Sequence, residues 1–267
     1  MNRIDKKFLE LRRKNEKALI VYLAAGDPSL AKTGELVLAL EKEGVDLIEL
    51  GVPFSDPLAD GPVIQEASGR ALKKHTTLKK ILACVAALRK KTQIPILLMS
   101  YLNPLLRYGL PALARDAKKS GVDGFIVPDL PPEEGRQVAS LMRGRGVHEV
   151  FLLAPTSPPK RIRLAARASR GFIYYVSLTG VTGIRRKLSA EIGRKLKGIR
   201  RESRLPVCVG FGISTPDQAR KVASVSDGVI VGSAVVKALA AHPSMGAAEF
   251  SRRFVRPLVR AGKGEGR

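Results

Sequence analysis

Short apolar runs alternate along the chain with stretches in which apolar residues recur every three or four positions. The runs at 18–24, 46–50, 94–99, 124–127, 149–153, 172–176, 206–209 and 228–231 read as strands. Helical spacing occupies 30–43, 78–90, 110–120, 133–144, 159–168, 189–201, 215–222 and 245–259. Strands that alternate with helices form right-handed βαβ units and a parallel sheet. Eight of each predict a single (β/α)8 TIM barrel over 1–267. The charged helical pattern of the first ten residues adds an extra N-terminal helix, and 261–267 is expected to fray. A doubly wound open sheet competes with the barrel, but no G-x-G-x-x-G follows the first strand.

A weak internal echo supports repetition. Gly44-Val45-Asp46, Gly121-Val122-Asp123 and Ser226-Asp227 each stand immediately before an apolar run. The glycines stop a helix and the aspartates give a polar start to a strand, which is turn chemistry and not a functional signal.

Candidate chemistry begins in the second run. Period-two alternation places Leu47, Glu49 and Gly51 on one face, with Ile48 and Leu50 on the other. If helices cover Ile48 and Leu50, Glu49 points into the barrel near the C-terminal ends of the strands, where active sites of this fold lie. An ionisable side chain on a core strand is costly to bury, so it marks a candidate site. The competing reading is a structural ion pair, yet no basic residue occupies a neighbouring inward position. A carboxyl held among apolar groups has a raised pKa and can pass protons both ways. Asp60 follows across a loop rich in Gly, Pro, Ser and Asp. Standing before Gly61-Pro62, it also fits a turn or helix cap.

The later runs supply a candidate anion site. Residues 210–217 follow the seventh run and contain Gly210 and Gly212; Gly232-Ser233-Ala234 follows the eighth. Glycines let backbone N–H groups approach a phosphate, and a helix N-terminus favours negative charge. Plain helix-start turns capped by Ser214 or Thr215 are the alternative. Residues 177–183, rich in Gly and hydroxyls, read as a lid or as an ordinary long connection. His75, His148 and His242 fall near polar turns away from these motifs, so histidine catalysis and a metal site are not expected. No nucleotide fingerprint or Walker loop is present. The residues describe a barrel that holds a small phosphate ester and works on it with two carboxylates.

Composition changes this picture little. The net charge of +23 would suit nucleic acid, but Lys and Arg are scattered and aromatics make up 5% of the chain. Without a recognition motif, a solvated basic surface or a steering field for an anionic substrate is favoured over nucleic-acid binding. Cys84 and Cys208 lack metal or redox spacing and read as buried free thiols of a cytoplasmic protein. No apolar run reaches the length of a membrane span.

The segment 47–62, Leu-Ile-Glu-Leu-Gly-Val-Pro-Phe-Ser-Asp-Pro-Leu-Ala-Asp-Gly-Pro, resembles the signature of the tryptophan synthase alpha subunit family nearly residue for residue. The likeness extends through 26–28, Gln65, 101–104, 127–131, 180–183, 210–214 and 232–233, in the family's order and spacing. It implies retro-aldol cleavage of indole-3-glycerol phosphate to indole and glyceraldehyde 3-phosphate, a step of tryptophan biosynthesis. No cofactor is implied in this chain; pyridoxal phosphate belongs to a beta subunit, the partner in an alpha2-beta2 heterotetramer. By the resemblance Glu49, Asp60 and Tyr174 are catalytic. Tyr22, Met99, Phe211 and Ile230 line the indole slot, and Gly183, Gly212, Gly232 and Ser233 hold the phosphate. Thr182 reaches Asp60 when the lid closes. Pro53, Asp56, Pro57 and Asn103 lie where the family meets its beta partner. Other readings stay open: indole-3-glycerol phosphate synthase, which would favour an inward catalytic Lys that is absent; a regulatory subunit that activates the beta chain; or a basic nucleic-acid binder.

Overall fold

The computed structural model describes residues 1–177, 185–210 and 212–263, with the backbone alone for 185–191. Its strands are β1 (Ala18–Ala24), β2 (Leu47–Gly51), β3 (Ile96–Met99), β4 (Gly124–Ile126), β5 (His148–Val150), β6 (Leu152–Leu153), β7 (Ile173–Val176), β8 (Val207–Gly210) and β9 (Gly228–Val231). All neighbouring pairs are parallel, in the order β5-β4-β3-β2-β1-β9-β8-β7-β6. The two ends of this row are one stretch of chain interrupted only at Phe151. Its first half pairs with β4 and its second with β7, which closes the eight expected strand segments into a TIM barrel.

Alternation sorts the side chains. Leu19, Val21, Ile48, Leu50 and Leu98 lie in the layer between barrel and helices, whereas Ile20, Leu47, Leu97, Ile126, Val150 and Ile230 fill the barrel interior. The expected N-terminal helix is Arg3–Arg13. Its Ile4, Phe8 and Leu11 join the interior cluster, with Phe8 stacked against Phe172 at 5.7 Å, so the helix plugs the lower mouth. Each such buried side chain contributes about 2 kcal/mol. Asn2 caps this helix and also donates to the Asp123 and Gly146 carbonyls, which anchors the plug.

The repeated aspartates do more than start strands. Asp46, Asp123 and Asp227 each accept the backbone N–H of a residue on the preceding strand segment: Leu19, Ile96 and Val207, at 2.8 to 2.9 Å. Asp123 also holds Arg89 at 2.7 Å and Arg3 at 3.0 Å.

His148, just past the turn at Arg145-Gly146, opens β5, and its ring bonds Asp5 of the N-terminal helix at 2.8 Å. Two expectations need correction. The helix expected over 245–259 is Ala247–Phe250, a wide π turn at Ser251–Val255, and Arg256–Lys263. The wide turn precedes Pro257, which has no N–H to return to the carbonyl four residues back. Residues 261–263 are not frayed, because Ala261 is buried and Lys263 reaches Asp46 at 3.0 Å; 264–267 lie outside the described residues. The helices Pro62–Lys73 and Leu102–Tyr108 were not among the predicted helical stretches. Among the described residues no helix is long and apolar enough to cross a membrane.

Candidate active site

Glu49 stands at the centre of β2, in register with Tyr22 of β1 and Leu97 of β3. Its neighbours Ile48 and Leu50 face the helices, so Glu49 faces the interior. It is 1% exposed, and its Oε1 has no hydrogen-bond partner among the described residues. Burial alone pushes its pKa from 4.5 up to about 8, which leaves a neutral carboxylic acid at pH 7.

Asp60 closes the loop that leaves β2. The helix Pro62–Lys73 is capped by Gly61 with no side-chain bond, so Asp60 is not its cap. Its carboxyl accepts from the Tyr101 hydroxyl, and the Tyr101 oxygen accepts the Ala59 N–H at 2.8 Å. Burial raises Asp60 to about 6, against the lowering effect of the Tyr101 bond. The two acids thus lie on opposite sides of neutrality, with Asp60 ionised while Glu49 keeps its proton.

Two tyrosines reach the same space by lying over glycines. A Cβ on Gly51 would stand 1.9 Å from the Tyr22 hydroxyl, and one on Gly210 would stand 2.4 Å from that of Tyr174. In both pairs the glycine lies opposite the residue two positions beyond the tyrosine, on the next strand segment. Burial keeps both phenols protonated well above their usual range, with Glu49 and Asp60 adding to the effect.

These groups meet in one cavity at the C-terminal mouth, about 740 Å³ of space open to solvent. Glu49, Asp60, Tyr174, Tyr22, Met99 and Ile230 all line it. So do Gly212, Gly232 and Ser233 of the expected phosphate end. Gly232 to Ala234 form the start of the helix Ser233–Ala241, whose N-terminus carries partial positive charge. The helix Pro216–Ala223, by contrast, closes its own N-terminus with a capping box between Thr215 and Gln218. Thr215 therefore caps that helix, Gly212 still lines the cavity, and the open end belongs to Ser233. Thr182, Gly183 and Phe211 lie outside the described residues. Pro53, Asp56, Pro57 and Asn103 do not line the cavity. Pro53, Asp56 and Pro57 sit on the loop after β2 and Asn103 at the start of the helix Leu102–Tyr108, Asp56 and Asn103 exposed, near the exposed Leu58 (84%) and Leu106 (51%).

Sequence reasoning gave no role to Gly61 and Ile64, which line the cavity, or to Tyr101, which bonds Asp60; Ile213, Ser214 and Ala234 of the candidate anion segments line it as well. The signal for Tyr101 was available: it continues the inward parity of Leu97 and Met99 two residues past the end of β3.

A closed parallel barrel with buried acids at its C-terminal mouth defines a β/α-barrel enzyme for a small molecule. The family model "Tryptophan synthase alpha chain" matches residues 8–257. A tryptophan synthase alpha chain from Pelobacter propionicus is 48% identical over 261 residues, covering 98% of each chain. One from Geobacter sp. (strain M21) is 52% identical over 237 residues, 89% of each. The crystal structure of tryptophan synthase subunit alpha from Legionella pneumophila superposes with a TM-score of 0.91 at 37% identity, covering 98% of each chain. The chain belongs to the tryptophan synthase alpha chain family. The family's reaction is the cleavage of indole-3-glycerol phosphate, so the chain is a carbon–carbon lyase of tryptophan biosynthesis. The family carries no cofactor of its own; pyridoxal phosphate belongs to the beta chain, its partner in the alpha2-beta2 complex.

Proposed function

We propose that Glu49 and Asp60 perform the cleavage in divided roles. Glu49, neutral at pH 7, donates its proton to C3 of the indole ring. Asp60, ionised, accepts a hydrogen bond from the indole N–H and offsets the positive charge that protonation places on the ring. The Glu49 carboxylate then takes the proton from the hydroxyl on the glycerol carbon attached to C3. The bond between that carbon and C3 breaks, its electron pair returns to the ring, and the aldehyde of glyceraldehyde 3-phosphate forms. Glu49 ends as it began, protonated.

In this reading the remaining residues position the substrate. Tyr174 lies over Gly210 beside the acid, and Tyr22, Met99 and Ile230 wall the indole slot. Gly212, Gly232 and Ser233 take the phosphate at the uncapped start of Ser233–Ala241. Pro53, Asp56, Pro57 and Asn103, beside exposed Leu58 and Leu106, form the docking surface for the beta chain. The two free thiols favour a reducing cytoplasm.

One observation carries the assignment: two acids with opposite protonation at pH 7 share a cavity with an uncapped helix N-terminus. Indole release by the purified chain, with and without its beta partner, tests it. Asp60→Asn is expected to slow turnover by at least about a hundredfold. A variant as fast as wild type removes Asp60 from the mechanism, and no indole release from the intact chain favours a purely regulatory subunit.

A further inference from the structure

The helix Pro62–Lys73 is fastened at three places outside the reacting groups. At its start, Ile64 and Ala67 pack with Val236 of Ser233–Ala241, the helix whose N-terminus lines the phosphate end of the cavity. In the middle, the Ser68 hydroxyl accepts the Phe54 N–H at 2.9 Å and donates to the Phe54 carbonyl at 3.1 Å. This ties the helix to the loop that ends at Asp60. Near its end, Arg70 grips Asp27 with two parallel bonds, Nε to Oδ1 at 2.9 Å and Nη2 to Oδ2 at 2.8 Å.

Asp27 is itself held. It is 7% exposed and sits on the loop leaving β1. The preceding Gly26, at φ +93°, packs so closely that a Cβ there would meet the Thr76 hydroxyl at 2.2 Å. A two-pronged guanidinium–carboxylate contact fixes orientation as well as distance. Gly61 to Arg70 spans about 13 Å of helix. The ion pair therefore anchors the far end of a rigid rod whose near end follows directly from Asp60. Packing on Val236 joins the same rod to the phosphate helix.

We infer that Asp27 and Arg70 are positioning residues for Asp60, setting the distance between that carboxylate and the phosphate-binding end of the cavity through the helix Pro62–Lys73. The inference rests on the proposed role of Asp60. Neither residue lines the cavity, so both act through the rod.

The test uses the full chain with its beta partner and measures indole release, the substrate KM and inhibition by inorganic phosphate. Asp27→Asn keeps the shape of the side chain but removes the charge; Arg70→Met removes the grip, and Arg70→Lys restores charge without the fork. Asp27→Asn and Arg70→Met are expected to lower kcat roughly tenfold, as a misplaced catalytic group does. Phosphate inhibition should stay within about twofold, with Arg70→Lys intermediate. The decisive comparison adds Asp60→Asn. If the pair works through Asp60, Asp60→Asn with Asp27→Asn is no slower than Asp60→Asn alone. Wild-type kcat in Asp27→Asn, or losses that multiply in the double variant, overturn the inference. Wild-type turnover in Asp60→Asn alone overturns the Asp60 assignment instead. If Arg70→Met does not fold, the Asp27→Asn pair of measurements decides the question.

Discussion

Replacing Glu49 with Gln should abolish cleavage and yet stabilise the protein, increasingly so as the pH rises. In the unfolded chain Glu49 ionises near 4.5, and in the folded chain near 8, because burial penalises its charge. Between those values the unfolded state has released a proton that the folded state still holds. Stability is therefore undiminished below about 4.5, declines between the two pKa values, and levels off above about 8. At about 1.4 kcal/mol for each pH unit that separates the two values, the decline approaches ~5 kcal/mol. That is a large share of the roughly 5–15 kcal/mol by which a typical domain is stable. Gln has the same shape and no proton to lose, so it escapes the decline. Urea denaturation of both proteins at pH 5, 7 and 9, with linear extrapolation, measures the difference. The two should nearly coincide at pH 5 and diverge by several kcal/mol, about the value above, at pH 9. Parallel stability curves across that range would refute the placement of a neutral acid in the barrel interior. Undiminished turnover in the variant would refute its part in the chemistry. Stability traded for a reactive group is a common compromise at active sites.

Two further outcomes follow from the same geometry. The pH profile of turnover should be bell-shaped, rising as Asp60 ionises near 6 and falling as Glu49 loses its proton near 8; a rate flat from pH 5 to 9 would contradict the divided roles. Gly51→Ala should cost roughly 1–3 kcal/mol of stability and most of the activity, since its Cβ meets the Tyr22 hydroxyl. Thermal melts and the indole assay check this, and an unchanged melting point with full activity would show that the ring has room to move.

Much of this molecule was legible in the chain itself. Period-two alternation set Glu49 against Ile48 and Leu50, and that alone made it inward once helices covered the other face. Eight strand-like runs alternating with eight helical stretches called for a closed parallel barrel, and the missing G-x-G-x-x-G after the first strand weighed against a doubly wound open sheet. The glycine-rich segments marked two candidate helix starts for an anion, and only one of the two proved open.

Other features depended on contacts between residues far apart in sequence. Tyr101 meets Asp60 across 41 positions, Arg70 meets Asp27 across 43, and Lys263 meets Asp46 across 217. The pKa values of the two acids depend on how fully the closed barrel excludes water from each, and on the Tyr101 bond that restrains only one of them. Local pattern sets which way a side chain faces, because backbone geometry repeats over a few residues. What surrounds that side chain is set by distant segments brought together, and on those surroundings the charge of a buried acid depends.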